Sequence, residues 1–398
     1  MSVSLLNGVK VLDFSRILAA PYATQLLGDL GATIWKIERT KTGDEVRRWT
    51  PPEVNGQSCY YLAVNRSKKS ISLNLATNKG QQIARNLALK ADVLIENFKT
   101  GQMKKFGLDY ESLSTKKPDL IYCSVTGYGS TGPYANEAGY DVIAEAIGGF
   151  MSITGSVDGE PCKAGVAIID LLTGTHLFAS VLGALLHKER TGAGQKIGCN
   201  LLATQISALA NIGSNYLNAG IVGDRNTSLL FRIKHSKQKI SRYYVIGAGD
   251  DSAFKKLCLI MQLDELAQNS NYETNAKRVE NRVPLLKTLS DKFLEHDLAY
   301  WIETFKSSKL PSGPVNSVAE AFEHEQVKHL KLVQELFHPN YGKVKTVGNT
   351  VTYSTLKNEA QNAPPLLGEH TEEVLKEELG ISSEQLSNLI DEGVIGCC

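Results

Sequence analysis

The feature that most constrains the fold is a repeated exchange of short apolar segments for amphipathic ones in the first third of the chain. "GVKVLDFS", from Gly8, is short and apolar; "AAPYATQLLGDLG", from Ala19, spaces its apolar residues as a helix does; "ATIWKIE" is again short and apolar. Together they predict one βαβ unit. "KKSISLNLA", "NKGQQIARNLALKA" and "DVLIENF" predict a second, and "DLIYCSVTGYG" adds a strand that runs into a glycine-rich loop. Parallel strands need a crossover, and a helix is the usual one. The predicted class is therefore α/β, with a large, Rossmann-like open parallel sheet carrying helices on both faces. Ligands of such sheets bind beyond the carboxyl ends of the strands. That places the expected site at Ser15–Leu18, Arg39, Asn97–Phe98 and the loop after Val125.

Beyond the sheet strands, a long apolar helix is predicted from Asp170 to about Lys188, followed by a turn, a strand and a helix through "TGAGQKIGCNLLATQISALANIGSNYL". Composition shifts near Gly223, where "DRNTSLLFRIKHSKQKISRYY" turns polar and basic before "YYVIGAG" and the helix-like "SAFKKLCLIMQL". The expected organisation is a large-domain part at 1–199, a linker at 200–225, a smaller α+β domain at 226–316, and a return segment at 317–398 that rejoins the large domain. The last part should end in helices at "HTEEVLKEELG" and "SSEQLSNLIDEG".

Composition excludes several classes. With 398 residues and 42% hydrophobic content the chain can bury a large core. Its 43 basic and 42 acidic side chains leave a net charge of +1, which favours neither nucleic acid nor an acidic tail. The start, "MSVSLLNGVKVLDFS", does not read as a signal or transit peptide, and no unbroken apolar run of about 18 residues predicts a membrane span. Cysteines at 59, 123, 162, 199, 258, 397 and 398 are odd in number and form no CxxC, against a disulfide framework or zinc site and in favour of a reducing, intracellular compartment. The terminal Cys397–Cys398 pair is not a prenylation box.

"GYGSTG", Gly127 to Gly132, matches the dinucleotide fingerprint GxGxxG and raises an NAD-dependent dehydrogenase as a rival. That fingerprint must open a helix to meet a pyrophosphate, whereas Pro133, Tyr134 and "ANEAG" read as loop. "HEQVKH" spaces His324 and His329 by five, not the i, i+4 of a zinc protease. There is no P-loop and no GxSxG elbow. "HSKQK", with Arg232, Lys234 and Arg242, reads as a solvated basic cluster.

Asp170 sits on the seam between two apolar runs in "GVAIIDLLTGTH". Aspartate is a preferred helix N-cap, and the positive helix end would hold it ionised at low pKa. The same position suits a carboxylate nucleophile. Local pattern leaves both readings open.

Taken in order, these blocks resemble the family III CoA-transferases, the group of formyl-CoA transferase, carnitine-CoA transferase and the α-methylacyl-CoA racemases. The resemblance runs from "LNGVKVLDFSRILAAPYATQLLGDLGATIWKIER" through "VNRSKKSISLNL", "ADVLIENFKTGQMKKFGLDYESL", "PDLIYCSVTGYGSTGPYANEAGYDVIAEAIGG", "GVAIIDLLTGTH" and "LPSGPVNSV" to "PPLLGEHTEEVLKE". It implies a CoA-transferase in which Asp170 attacks an acyl-CoA thioester and passes through aspartyl anhydride and aspartyl-CoA thioester intermediates. It places Ile17, Leu18 and Ala19 along the pantetheine arm, Arg39 by the adenine and phosphates, and Asn97 and Phe98 in the pocket after "LIEN". Lys104 and Lys105 are implied for the CoA phosphates, with a solvated helix face as the alternative, and Tyr140 at the reaction centre. "AGYD" and "CNLLATQ" are most similar to members that handle dicarboxylic acyl groups, which implies succinyl-CoA as donor, a free dicarboxylic acid as acceptor and, in eukaryotes, the mitochondrial matrix. An interlocked homodimer is implied, with no metal and no permanently bound cofactor, the coenzyme A thioester being a substrate. No nucleic-acid or membrane partner is expected.

Tyr140 separates the branches: racemases carry a histidine there for α-proton transfer, and a phenol titrating near 10 is a poor replacement. Three departures from the family pattern stand out: Ala20 for glycine, Gly198 for a polar residue, and the segment "NTSLLFRIKHSKQKISRYYVIGAG", which lacks the expected proline-aromatic stretch and Asp-Gly turn. The altered 226–243 segment raises a second alternative, a catalytically silent CoA-binding member.

Overall fold

The computed structural model describes residues 4–156, 158–225, 230–233, 242–355, 360 and 362–396. The chain divides into two compact units: 1–154 with 161–223 and 326–398, and 155–160 with 224–325.

The first unit is built on a seven-stranded sheet. In chain order its strands are β1 (Lys10–Asp13), β2 (Thr33–Glu38), β3 (Lys68–Leu73), β4 (Val93–Glu96), β5 (Ile121–Thr126), β6 (Gln195–Asn200) and β7 (Ile395–Gly396). They lie in the order β7-β3-β2-β1-β4-β5-β6, all parallel except β7, which runs antiparallel to β3. The two βαβ units expected from the sequence differ in the fold. β1 and β2 are neighbours, but β3 and β4 are separated by both of them. The sheet grows one way from β1 to β3 and the other way from β4 to β6, so the gap between β1 and β4 is a switch point.

Both faces of the sheet are apolar because successive residues point to opposite sides. Leu12, Trp35 and Leu94 pack with α2 (Asn78–Ala88) and the C-terminal helices Thr371–Leu379 and Ser383–Asp391. Val11, Ile34, Val93 and Ile95 pack on the other side with α1 (Ala19–Asp29) and α4 (Ile168–Thr191). α4 is the one helix among the described residues long and apolar enough to span a membrane. Here it is a core element, burying Ile169, Leu177, Val181 and Ala184.

Charges are buried in the same strands. Asp13, Lys36 and Lys68 have no exposed side-chain surface; Lys36 Nζ lies 2.9 Å from Asp44 Oδ2, and Lys68 Nζ 3.4 Å from Asp13 Oδ2. Such groups are tolerated in a core only when paired.

The second unit has a three-stranded antiparallel sheet, Leu230–Ile233 beside Arg242–Ile246 beside Ser312–Pro314, with an aromatic core of Phe231, Tyr244, Phe293, Trp301 and Phe305. The first of these strands was not expected. Most of the atypical 226–243 segment, at 226–229 and 234–241, lies outside the described residues, as do Cys397 and Cys398. The hairpin Val333–His338 with Gly342–Val347 and the edge strand β7 were also missed by the sequence reading. "HEQVKH" contributes an exposed short helix, Glu325–His329.

Candidate active site

The loops that follow β1 and β4 splay apart at the switch point and are tied to each other there. Asn97 accepts from the Arg16 N–H at 3.0 Å and donates to the Arg16 carbonyl at 2.8 Å. The Ile17 N–H donates to Asp44 Oδ1 at 3.1 Å. These bonds hold Ile17 at φ +71°, a left-handed conformation that a β-branched residue rarely adopts. Strain of this kind, worth about 1–3 kcal/mol, persists where surrounding contacts over-determine the backbone. The loop thereby turns sharply into α1 at Leu18 and Ala19. Asn97→Ala removes both ties and is expected to raise KM for a ligand of this cleft about tenfold with a smaller change in kcat, read by steady-state kinetics.

A cleft of ≈ 230 Å³ opens at this point, lined by Ile17, Leu18, Ala19, Asn97, Phe98, Tyr140 and Asp170, together with Arg16, Lys99, Gly127 and residues 135–139. Seven residues singled out in the sequence thus share one cavity. Arg39 lines an adjoining one of ≈ 840 Å³, which also contains Arg16, Ile17, Asn97, Phe98 and Lys99. Its guanidinium is half exposed and pairs with Glu45 at 3.1 Å. Lys104 lines a third cavity, and Lys105 lines none of the three; both are exposed. Gly127–Gly132 follows β5 as loop, and the next helix, α3 (Asp141–Ile147), begins well beyond it, so the dinucleotide geometry is not built.

Two close approaches bring the acid to the cleft. A Cβ at Gly174, one turn beyond Asp170, would strike the Ala19 carbonyl, so only glycine lets α4 abut the start of α1. Gly127 and Gly139 likewise press backbone on backbone across the cleft floor.

Asp170 is the third residue of α4 and its side chain does not cap the helix, which overturns the N-cap reading: the N-cap position is Ala167. The cap comes from Asp141, whose Oδ1 accepts from Ile169 N at 2.7 Å and Asp170 N at 2.9 Å. The expectation of a low pKa is overturned as well. Burial, followed by the like charge of Asp141, raises Asp170 from 3.8 to about 7. The helix end stabilises Asp141, and Asp141 in turn makes Asp170 more basic. Sequence reasoning could not see this, because the cap comes from 28 residues upstream.

Tyr60 was also missed. Burial, then the charges of Asp170 and Asp141, push its phenol above the ordinary range. Ser58 caps the helix Cys59–Val64 by accepting from Tyr60 N and Tyr61 N; Tyr61 is then buried under Arg47, while Tyr60 stays partly exposed, its ring centroid 5.0 Å from that of Trp49 in an edge-to-face pair. The adjacent tyrosines of "CYYL" were the only local signal. The site therefore presents a mostly buried, basic carboxylate in the lining of the switch-point cleft, chemistry suited to attack on an acyl carbon. Among the described residues no group of three or more His, Cys, Asp or Glu could hold a metal.

Residues 6–371 match the family described as CoA-transferase family III. The chain is 42% identical over 402 aligned positions to succinyl-CoA:glutarate CoA-transferase of Homo sapiens, covering 99% of this chain and 90% of that protein. It is 38% identical to succinate–glutarate CoA-transferase of Agrobacterium fabrum, covering 94% and 95% of the two chains. The crystal structure of a CAIB/BAIF family protein from Brucella suis superposes with a TM-score of 0.83 at 36% identity, over 94% of this chain and 99% of that one. With the parallel sheet, the switch-point cleft and a match across nearly its whole length, the chain belongs to CoA-transferase family III and is a CoA-transferase.

Proposed function

We propose that this enzyme moves CoA from succinyl-CoA to a free dicarboxylic acid such as glutarate, with Asp170 as the covalent nucleophile. The observation that carries the reading is the Asp170 carboxylate: mostly buried, made basic by its surroundings and set in the switch-point cleft. One Asp170 oxygen attacks the thioester carbonyl and the CoA thiolate leaves, giving a mixed anhydride. The thiolate then attacks the aspartyl carbonyl, releasing the donor acid and leaving an aspartyl-CoA thioester. The acceptor carboxylate attacks that thioester, expelling the CoA thiolate, and forms a second anhydride. The thiolate attacks the acceptor acyl carbon, releasing the new acyl-CoA and the Asp170 carboxylate. Splitting the exchange in this way replaces one difficult step by easier ones.

In the same reading Ile17, Leu18 and Ala19 run along the pantetheine arm, with Asn97 holding their loop and Phe98 walling the pocket. Arg39 lies where the adjoining cavity would take the nucleotide end, and Tyr140, at the N-terminus of α3, faces the acyl group. Lys104 lines a neighbouring cavity rather than the cleft, and is placed, with Lys105, as a contact for the CoA phosphates. The similarity to two dicarboxylate CoA-transferases supports succinate and glutarate as substrates. Tyr140 in place of an imidazole argues against a racemase. An interlocked homodimer and a mitochondrial site in eukaryotes complete the proposal, the former checked by analytical ultracentrifugation.

Incubating the protein with succinyl-CoA and glutarate should give glutaryl-CoA together with a mass adduct on the peptide carrying Asp170, which hydroxylamine converts to a hydroxamate. Glutaryl-CoA without any Asp170 adduct would sink the covalent route. Deuterium entering an α-carbon without acid exchange would favour the racemase, and CoA binding with neither reaction would favour a silent binder.

A further inference from the structure

Lys99 stands on a fixed piece of backbone in the loop after β4. Two residues before it, Asn97 is tied to Arg16 through both of its amide atoms. One residue after it, the Thr100 hydroxyl donates to the Ala135 carbonyl at 2.9 Å, joining the loop to residues 135–139, which also line the cleft. The Lys99 carbonyl itself accepts from Gln102 N at 3.0 Å. Among the described residues Lys99 alone borders the cleft, the adjoining Arg39 cavity and the third cavity of ≈ 550 Å³, while Thr100 and Thr126 are shared by the cleft and the third cavity.

The charges of the cleft are unevenly committed. Its lining holds two carboxyl groups, Asp170 and Glu137, and two cations, Arg16 and Lys99. Arg16 pairs with Glu45 at 3.0 Å and lies over Phe98, 4.4 Å from the ring centroid. The Lys99 ammonium has neither a hydrogen bond nor an ion pair among the described residues. An acyl group joined to Asp170 that bears a second carboxylate brings that charge into the same space. A charge drawn from water needs a partner, and Lys99 is the uncommitted cation at hand.

We infer that Lys99 is a specificity residue whose ammonium pairs with the distal carboxylate of the dicarboxylic acid, so that the loop after β4 selects a dianion over a singly charged acid of the same length. The inference rests on the dicarboxylate reading above and names the group that enforces it. A compact ammonium on a flexible stem needs no fixed fork geometry, which suits acids of differing length such as succinate and glutarate. Lys99 is exposed, so the selectivity should weaken as salt is raised.

Exchange from succinyl-CoA to glutarate, and to glutarate monomethyl ester, isolates the distal charge. The donor is common to both reactions, so the ratio of the two kcat/KM values reads the acceptor alone. Lys99→Met is expected to lower the glutarate-to-ester ratio about 10–30-fold, and Lys99→Arg to keep it within about threefold. Affinity for free CoA, measured by calorimetry, should change less than about twofold in either variant. A ratio unchanged in Lys99→Met would overturn the inference, and with weakened CoA binding it would make Lys99 a phosphate contact instead. A wild-type protein with no preference for glutarate over its ester is a separate result, which sinks the dicarboxylate reading itself.

Discussion

Asp170→Asn protein is expected to lose CoA exchange by about four orders of magnitude or more, while resisting urea better than the wild type above neutral pH. The kinetic loss follows because an amide cannot form the anhydride. The gain in stability follows from the same environment that makes the carboxylate reactive. Asp170 titrates near 7 in the folded chain against 3.8 as its ordinary value. Between those limits the folded protein holds a proton that the unfolded chain releases. Stability therefore falls as pH rises through the window, and the penalty is fully in place above about pH 7. Asparagine carries no such penalty. The two proteins should unfold at similar urea concentrations near pH 4–5 and diverge by about 2–4 kcal/mol by pH 8. The kcat for the exchange should rise with pH through about 7 as Asp170 ionises. A urea midpoint for Asp170→Asn at pH 8 equal to or below that of the wild type would show that Asp170 is not destabilised in the folded state.

This trade of stability for reactivity could not be read from "GVAIIDLLTGTH". The sheet was legible because its signal is local: short apolar runs in "VKVLDF", "TIWKIE" and "DVLIENF" mark buried strands regardless of their partners. The cleft was legible for a related reason, since the ends of parallel strands are where such folds bind ligands. Asp170 was a different case. A helix start needs a cap, and the pattern offered Asp170 itself; the fold supplies Asp141 from the preceding helix instead. Once the cap moves, the direction of the pKa shift reverses. The hairpin at Val333–Val347 escaped notice because its faces are mixed, its one deeply buried apolar strand residue being Val344. It is anchored through Tyr341, the turn residue, which donates to the Pro364 carbonyl and accepts through its own carbonyl from Asn55, partners remote in sequence.

The buried ion network beneath the loop after β1 shows how far non-local pairing reaches, and it carries the second large expected effect. Lys36 Nζ bonds Asp44 Oδ2 and the Ser15 carbonyl, each at 2.9 Å. Asp44 in turn orients the Ile17 N–H, and Asp13 fixes Ser15 N–H at 2.8 Å and the Thr24 hydroxyl at 2.6 Å. Burial opposes a charge on Lys36, but Asp44, Asp13 and Glu38 outweigh it and hold its pKa above the ordinary value. Lys68 differs: burial above all, opposed by Asp13 and reinforced by Lys36, lowers it to about 7. At pH 8 Lys36 is thus a full cation and Lys68 largely neutral. Lys36→Met leaves Asp44 buried without its counter-ion, a loss of about 3–5 kcal/mol, and frees the loop that holds Ile17 in its strained conformation. KM for an acyl-CoA should rise with it. Lys68→Met forfeits hydrogen bonds to the Pro21 carbonyl and Asn65 but little ion pairing, and should cost about half as much. Urea midpoints of the two variants at pH 8, compared with KM, test the ordering. Equal costs, or a Lys36→Met protein with unchanged KM, would show that the network does not support the loop.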